Sequence, residues 1–199
     1  MQTEIEAKFL NIDKDKIRAK LIKLGAKLQH PERLMSRAMF DYPDWRLEKI
    51  GGWIRVRNEG NKITLSYKQL NNRTLHGTKE MTVIVDDFNT TCELFKTIGL
   101  EQKSYQETKR ESWKLRKIEI EIDEWPWIPP FIEIEAKSEK EVKDMAAKLG
   151  FDWKEALHGS VEIVYQQHYK VTEQEIDHWD SITFVELPDW LESTRINKS

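Results

Sequence analysis

The chain has 199 residues, 39% hydrophobic and 34% charged, a composition with fewer apolar and more charged residues than folded proteins usually have. Its 8 Trp, 7 Phe and 5 Tyr nevertheless exclude a solvated, disordered chain, which would contain few aromatic residues. The 32 basic and 35 acidic residues leave a net charge of −3, which argues against a general binder of nucleic acids or anionic membranes. The single cysteine, Cys92, excludes an intrachain disulfide framework and a zinc site built from cysteines.

The N-terminal sequence, residues 1–6, is acidic, whereas a secretory signal peptide begins with basic residues and continues with a hydrophobic run. No apolar run approaches the ~18 residues that a membrane-spanning helix needs. We therefore expect a soluble, cytoplasmic protein with neither a membrane nor a nucleic-acid partner.

Alternation of apolar and polar residues with period two predicts about eight strands. In chain order they cover residues 4–9, 37–41, 53–57, 63–68, 82–85, 105–115, 118–123 and 131–135. A Trp- and Pro-rich break, residues 125–130, separates the last two strands. About eight strands are enough to close a twisted sheet into a barrel.

Amphipathic helices are predicted between the strands, at residues 13–24, 90–98 and 138–149, each followed by glycine. Two further helices are predicted at residues 160–169 and 173–179. The sequence Glu-Ile-Glu-Ala-Lys occurs twice, at residues 4–8 and 133–137, which suggests two related halves of one α+β domain. We expect residues 1–170 to form this domain and residues 171–199 to be a helical or irregular extension. The extension would pack on the same domain or on a second subunit, so a homodimer is a candidate assembly.

Each predicted strand has one apolar face and one polar face, because side chains at i and i+2 point the same way. A single charged face could simply lie in water. When about eight strands close, however, the charged faces line a lumen and the apolar faces lie outside, under the helices. The predicted fold is therefore an α+β, eight-stranded antiparallel closed β-barrel, or tunnel, with a charged lumen. Rows of Glu and of Arg/Lys in such a lumen suit a polyanion together with Mg²⁺ or Mn²⁺.

The sequence Glu4-Ile5-Glu6-Ala7-Lys8 resembles the ExExK motif of the CYTH superfamily, the triphosphate tunnel metalloenzymes. The likeness continues through an ordered series of charged residues over about residues 1–170: Arg55, Arg57, Lys68, Arg110, Asp123, Glu133 and Glu135. The family includes class IV adenylyl cyclases, thiamine triphosphatases and inorganic triphosphatases. Its fold, an eight-stranded antiparallel tunnel covered by helices, agrees with the fold that the alternation predicts.

The resemblance implies a role for each of these side chains. A metal site for Mg²⁺ or Mn²⁺ would consist of Glu4, Glu6, Asp123, Glu133 and Glu135. The triphosphate would be held by Lys8, Arg55, Arg57, Lys68 and Arg110. The catalytic residues would be Glu4, Glu6, Lys8 and Arg57.

Strand parity favours Arg110 over Lys109 as the residue in the lumen. Lys109 shares a face with Trp113, which we expect to lie outside under a helix, whereas Arg110 lies on the opposite face. Members of the family often carry a second basic residue two positions before this arginine. This chain has Thr108 there, so we expect a weaker hold on one phosphate.

The favoured function is metal-dependent hydrolysis of an inorganic, nucleoside or thiamine triphosphate. The alternative is a class IV adenylyl cyclase, in which a ribose 3′-hydroxyl attacks the α-phosphorus of ATP. A non-enzymatic alternative is a polyphosphate- or nucleotide-binding module that uses the same lumen without turnover. A barrel whose charges only pair with each other would have no affinity for triphosphate.

Overall fold

In the computed structural model, which describes residues 2–3, 5–72, 74–75 and 77–196, the strands of the described residues form one curled β-sheet. The strands are β1 (Gln2–Thr3), β2 (Glu6–Phe9), β3 (Lys27–Asp41), β4 (Gly52–Asn58), β5 (Ile63–Leu70), β6 (Thr78–Val85), β7 (Glu101–Leu115), β8 (Ile118–Glu124), β9 (Phe131–Glu135) and β10 (Ser181–Ile182). Their spatial order is β1-β6-β5-β4-β3-β7-β8-β9-β2, with antiparallel neighbours throughout. The short β10 pairs with β7 in parallel.

The first and last strands in this order, β1 and β2, belong to the same N-terminal segment. β1 pairs with β6 through Gln2↔Glu80 and Thr3↔Lys79, whereas β2 pairs with β9 along its whole length. Residues 2–3 and 6–9 therefore contact opposite ends of the sheet, which curls around a central lumen. The predicted antiparallel sheet of an α+β fold is confirmed; its predicted first strand, residues 4–9, corresponds to β2, and the short β1 precedes it.

The helices are α1 (Lys14–Lys23), α2 (Phe88–Thr97), α3 (Glu139–Leu149), α4 (Glu162–Tyr165), α5 (Glu173–Asp177) and α6 (Asp189–Glu192). Side chains cap the first three, because Asp13, Asp87 and Ser138 accept hydrogen bonds from backbone N–H groups of the first turn. Gly150 ends α3 with a φ of 86°, a left-handed conformation that favours glycine. The three predicted long helices are confirmed, and α2 begins slightly earlier than predicted because Asp87 is its cap.

The apolar faces of the strands lie outside the lumen, beneath the helices. On one side, α1 and α3 pack on β2, β8 and β9, and the buried side chains include Ala7, Leu21, Ile120, Ile122, Ile132, Ile134, Val142, Met145 and Leu149. On another side, Cys92 and Phe95 of α2 pack on Ala38, Phe40 and Val56. Burial of these residues holds the sheet in its curled form with the charged faces inward.

The C-terminal segment, residues 171–196, packs on the Trp- and Pro-rich break between β8 and β9, residues 125–130. Ile176, Ile182 and Leu191 are buried with Trp125 and Tyr165. The Tyr165 hydroxyl donates to the Pro126 carbonyl at 2.9 Å, and the Trp127 indole donates to the Val185 carbonyl at 3.0 Å.

Two predicted elements differ most in extent from the observed ones. The helix predicted at residues 160–169 is the single turn α4, because Tyr169 forms a β-bridge with Arg195 and the Lys170 amide donates to Thr194. β3 begins at Lys27 instead of residue 37, because its first half follows β7 through register shifts around Pro31, which disrupt the alternation. None of the helices in the described part of the chain has the length and apolar character needed to cross a membrane.

Candidate triphosphate-binding lumen

The lumen is a cavity of about 1530 Å³ lined by the inward faces of the strands. Side chains of every strand from β2 to β9 reach it, and they are predominantly charged or polar. Residues 160–162, at the start of α4, and residues 172–174, at the start of the C-terminal segment, also line it.

Basic residues are concentrated on β3, β4 and β5, which form one wall of the lumen. Arg37 of β3 stands directly opposite Arg57 of β4, and Arg55 stands two residues away on the same face. Lys68 of β5 stands opposite Trp53 of β4, and it therefore lies on the same face of the sheet as Arg55. Side chains directly opposite each other lie ~5 Å apart, and like charges in this arrangement repel.

Three of these cations have carboxylate partners within the lumen. The Arg57 Nε donates to Glu59 at 3.0 Å, and Arg55 donates to Glu80 of β6 at 2.9 Å. Lys68 lies 3.4 Å from the second oxygen of Glu80. The partners partly neutralise the basic wall, and they keep the long side chains directed inward.

Acidic residues are concentrated on β2, β8 and β9, the opposite wall. Glu135 of β9 is directly opposite Glu6 of β2 on one side and Glu119 of β8 on the other. In the next row, Glu133 stands between Lys8 and Glu121. This register forces carboxylates into adjacent positions, where repulsion destabilises the ionised forms.

Two carboxylates on this wall hold protons more tightly than usual. Burial, reinforced by the charges of Glu6 and Glu119, raises the pKa of Glu135 to about 7. Burial also raises the pKa of Glu121 to about 7, and Asp123 and Glu133 add to this increase. The Oε2 atom of Glu121 is buried and has no hydrogen-bond partner among the described residues. A bound cation would relieve both the repulsion and this unsatisfied acceptor.

Lys8 joins the two acidic rows and is only 2% exposed. Its Nζ lies 2.7 Å from Glu6 and 3.2 Å from Glu133, and it donates to the Gly159 carbonyl at 2.6 Å. Although burial lowers the pKa of Lys8, the two carboxylates outweigh this effect and the net pKa is raised. The ammonium is therefore charged at neutral pH.

Arg110 of β7 faces the lumen, as strand parity predicted, and Trp113 is buried on the outer side under the helices. The Arg110 Nε donates to Asp123 at 2.6 Å, and its Nη2 lies 2.7 Å from Glu133. Asp123 is fully buried, and both of its oxygens accept hydrogen bonds from Arg110. Asp123 thus holds Arg110 in place within the lumen, at the edge of the acidic wall.

The structure adds residues that the sequence interpretation did not assign to the site. Arg33 and Arg37 of β3 enter the lumen, as do Glu59 and Glu121. Strand parity could have identified Glu121, which lies between Glu119 and Asp123 on the same face. It could likewise have identified Arg37, which lies on the face opposite the apolar Ala38 and Phe40. Glu59 follows β4 in a turn, where alternation gives no signal.

Most of the predicted site residues come together around the one cavity. Those that line it are Glu6, Lys8, Arg55, Arg57, Lys68, Arg110, Glu133 and Glu135. Asp123 lies behind Arg110, and Glu4 falls outside the described residues. Within the described residues, no three Asp, Glu, His or Cys side chains are grouped closely enough to hold a metal ion by themselves.

The family profile of the CYTH domain matches residues 2–164. The chain belongs to the CYTH family. The match spans every strand from β1 to β9 and therefore both walls of the lumen.

Several solved structures are similar to this chain in fold. This CYTH protein is 25% identical to the PH1012 protein of Pyrococcus horikoshii OT3, with a TM-score of 0.65 over 77% of this chain and 93% of that one. A Pyrococcus furiosus protein is 21% identical, with a TM-score of 0.64 over 77% of this chain and 94% of that one. A Hippeastrum protein, described as an adenylyl cyclase candidate with a dominant triphosphatase activity, is 14% identical. Its TM-score is 0.59 over 84% of this chain and 96% of that one. No curated protein matches this CYTH protein significantly in sequence.

Proposed function

We propose that this CYTH protein is a divalent-metal-dependent triphosphatase that hydrolyses a small triphosphate inside the lumen. The observation that supports this most strongly is the separation of charge between the walls. Arg55, Arg57 and Lys68 face across the cavity to a wall of adjacent glutamates. A polyanion accompanied by a divalent cation fits both walls, because the polyanion neutralises the basic wall and the cation neutralises the acidic wall.

The acidic wall fits a hard divalent cation by its donor chemistry. Glu6, Glu121, Glu133 and Glu135 offer carboxylate oxygens, and the unsatisfied Oε2 of Glu121 is buried among them. Mg²⁺ commonly takes one or two carboxylates and completes its shell with substrate phosphates and water, so three grouped side chains are not required. When bound, Mg²⁺ or Mn²⁺ would polarise the phosphate oxygens as a Lewis acid. In this proposal Asp123 positions Arg110 instead of binding metal.

The basic wall would bind and orient the triphosphate. Arg55 and Arg57 present guanidinium groups that match phosphate oxygens in pairs, and Lys68 adds a compact positive charge. Lys8 on β2 and Arg110 on β7 both lie next to Glu133 of the acidic wall. These cations would neutralise the charge that develops on the transferred phosphoryl group while water attacks the γ-phosphorus and the bridging P–O bond breaks.

Product analysis tests the proposal. The purified protein is incubated separately with inorganic triphosphate, ATP and thiamine triphosphate, with Mg²⁺, with Mn²⁺ or with EDTA. We expect metal-dependent release of orthophosphate from at least one of them. The activity described for the Hippeastrum protein makes orthophosphate the first product to measure. Cyclic AMP and pyrophosphate from ATP would instead support the cyclase, and tight binding without any product would support a binding module.

A further inference from the structure

Arg37 is a lumen cation for which the mechanism above has no use. Its side chain is 7% exposed and lines the cavity. Among the described residues no carboxylate lies within ion-pairing distance of it, whereas Arg55, Arg57, Lys68, Lys8 and Arg110 all have such partners. Among the described residues, Arg33 likewise has no carboxylate within ion-pairing distance. Its guanidinium, however, donates to the carbonyls of Glu59 and Arg110 and to the Ser112 hydroxyl.

The surroundings of Arg37 hold it in place without neutralising it. Its Nη2 donates to the Thr108 hydroxyl at 3.1 Å, and its guanidinium lies over the Trp125 ring, 4.5 Å from the centroid. Its Nε is buried and has no hydrogen-bond partner among the described residues. Arg57 stands directly opposite on β4. A buried cation with an unsatisfied N–H and a like charge beside it destabilises the empty site, and a bound anion would offset that cost.

The contact with Thr108 places Arg37 beside an uncharged position on the lumen face of β7. Thr108 is fully buried on the lumen face of β7, two residues before Arg110, and its register partner on β3 is Met35. Arg37 is therefore its diagonal neighbour and reaches across to it. The guanidinium of Arg37 therefore places a positive charge beside Thr108 from the adjacent strand.

We propose that Arg37 binds one phosphate of the triphosphate, with Thr108 and Trp125 orienting its guanidinium. This proposal rests on the proposed function, since it assigns a further binding residue to the same lumen. The ligand class is a phosphate group of a polyphosphate chain, because a guanidinium edge matches phosphate oxygens and the other cations of the basic wall line the same cavity.

The test compares binding of inorganic triphosphate by thermal shift across a concentration series, in EDTA and in Mg²⁺. Wild type should show a saturable increase in melting temperature. Arg37→Met should bind at least about tenfold more weakly, the loss expected for a charge-assisted hydrogen-bond partner. Without ligand it should melt no lower than wild type, because it removes an uncompensated buried charge.

An exchange variant separates phosphate binding from packing. Arg37→Thr combined with Thr108→Arg returns a guanidinium to the same place from β7, and it should recover most of the affinity that Arg37→Thr alone loses. Unchanged affinity in Arg37→Met, or no recovery in the exchange variant, would overturn the role of Arg37. Absence of a saturable shift in wild type would instead overturn the proposed function. If Arg37→Met does not fold, Arg37→Gln serves the same comparison.

Discussion

Replacing Glu121 by glutamine tests the electrostatics of the acidic wall through stability alone. The pKa of Glu121 is raised from 4.5 to about 7, chiefly by burial. The folded protein therefore binds a proton that the unfolded chain releases between these two pH values. Since the folded state binds more protons, the free energy of unfolding contributed by Glu121 falls as the pH rises from about 4.5 to 7.

The size of the effect follows from the same shift. Ionising Glu121 in the folded state costs up to ~3 kcal/mol at pH 8, whereas at pH 5 the group is protonated and resembles glutamine. Glu121→Gln should therefore melt near the wild-type temperature at pH 5. At pH 8 it should melt as much as ~6–12 °C higher, for a chain of this size. The assay is thermal unfolding followed by circular dichroism, in EDTA so that bound cations do not stabilise the wild type.

Glu124 on the same strand provides the matched control. Burial raises the pKa of Glu124, but hydrogen bonds from Lys14 and Lys109 outweigh it and the net pKa is lowered. Its stabilisation is present at neutral pH and is lost only in acid, so Glu124→Gln should lower the melting temperature at pH 8. A gain for Glu121→Gln that is the same at pH 5 and pH 8, or no gain at pH 8, would refute the reasoning.

Three further variants test the site and its support. Glu6→Gln should abolish metal-dependent triphosphate turnover with an unchanged circular dichroism spectrum, and full activity would remove Glu6 from the proposed metal site. Leu191→Ala should lower the free energy of unfolding by ~2–4 kcal/mol because Leu191 is fully buried, whereas Val185→Ala, at a side chain 62% exposed, should change it by less than ~0.5 kcal/mol. Denaturant titration compares the two, and equal effects would contradict the packing of the C-terminal segment. Tyr165→Phe should cost ~1 kcal/mol in the same assay, through loss of the hydrogen bond to Pro126; no loss would mean that this bond does not contribute.

The sequence predicted the sheet and the orientation of its faces because alternation with period two is a local signal. Ile118 to Asp123 alternate strictly, and the structure places Ile120 and Ile122 outside and Glu121 inside. The signal failed where pairing depends on distant residues. The first half of β3 is a strand because β7 pairs with it, although Pro31 interrupts its pattern.

The pairing partners of the lumen residues could not be predicted in the same way. Alternation shows that Arg110 faces inward, but only the register of β7 with β8 places it on Asp123. The interaction of Arg37 with Thr108 depends on the β3–β7 register, which lies beyond a local pattern. A single sequence therefore gives the composition of each wall, and the three-dimensional arrangement decides which charges neutralise each other.

The central claim is that the inward-facing cations bind triphosphate, and Lys68 and Lys79 test it most directly. Lys68 of β5 lies in the lumen beside Glu80, whereas Lys79, on the adjacent strand β6, is exposed. Calorimetric titration with inorganic triphosphate should give one site per chain in wild type and in Lys79→Met. Lys68→Met should bind at least about tenfold more weakly. Equal affinity in the two variants, or no saturable binding in wild type, would contradict the claim.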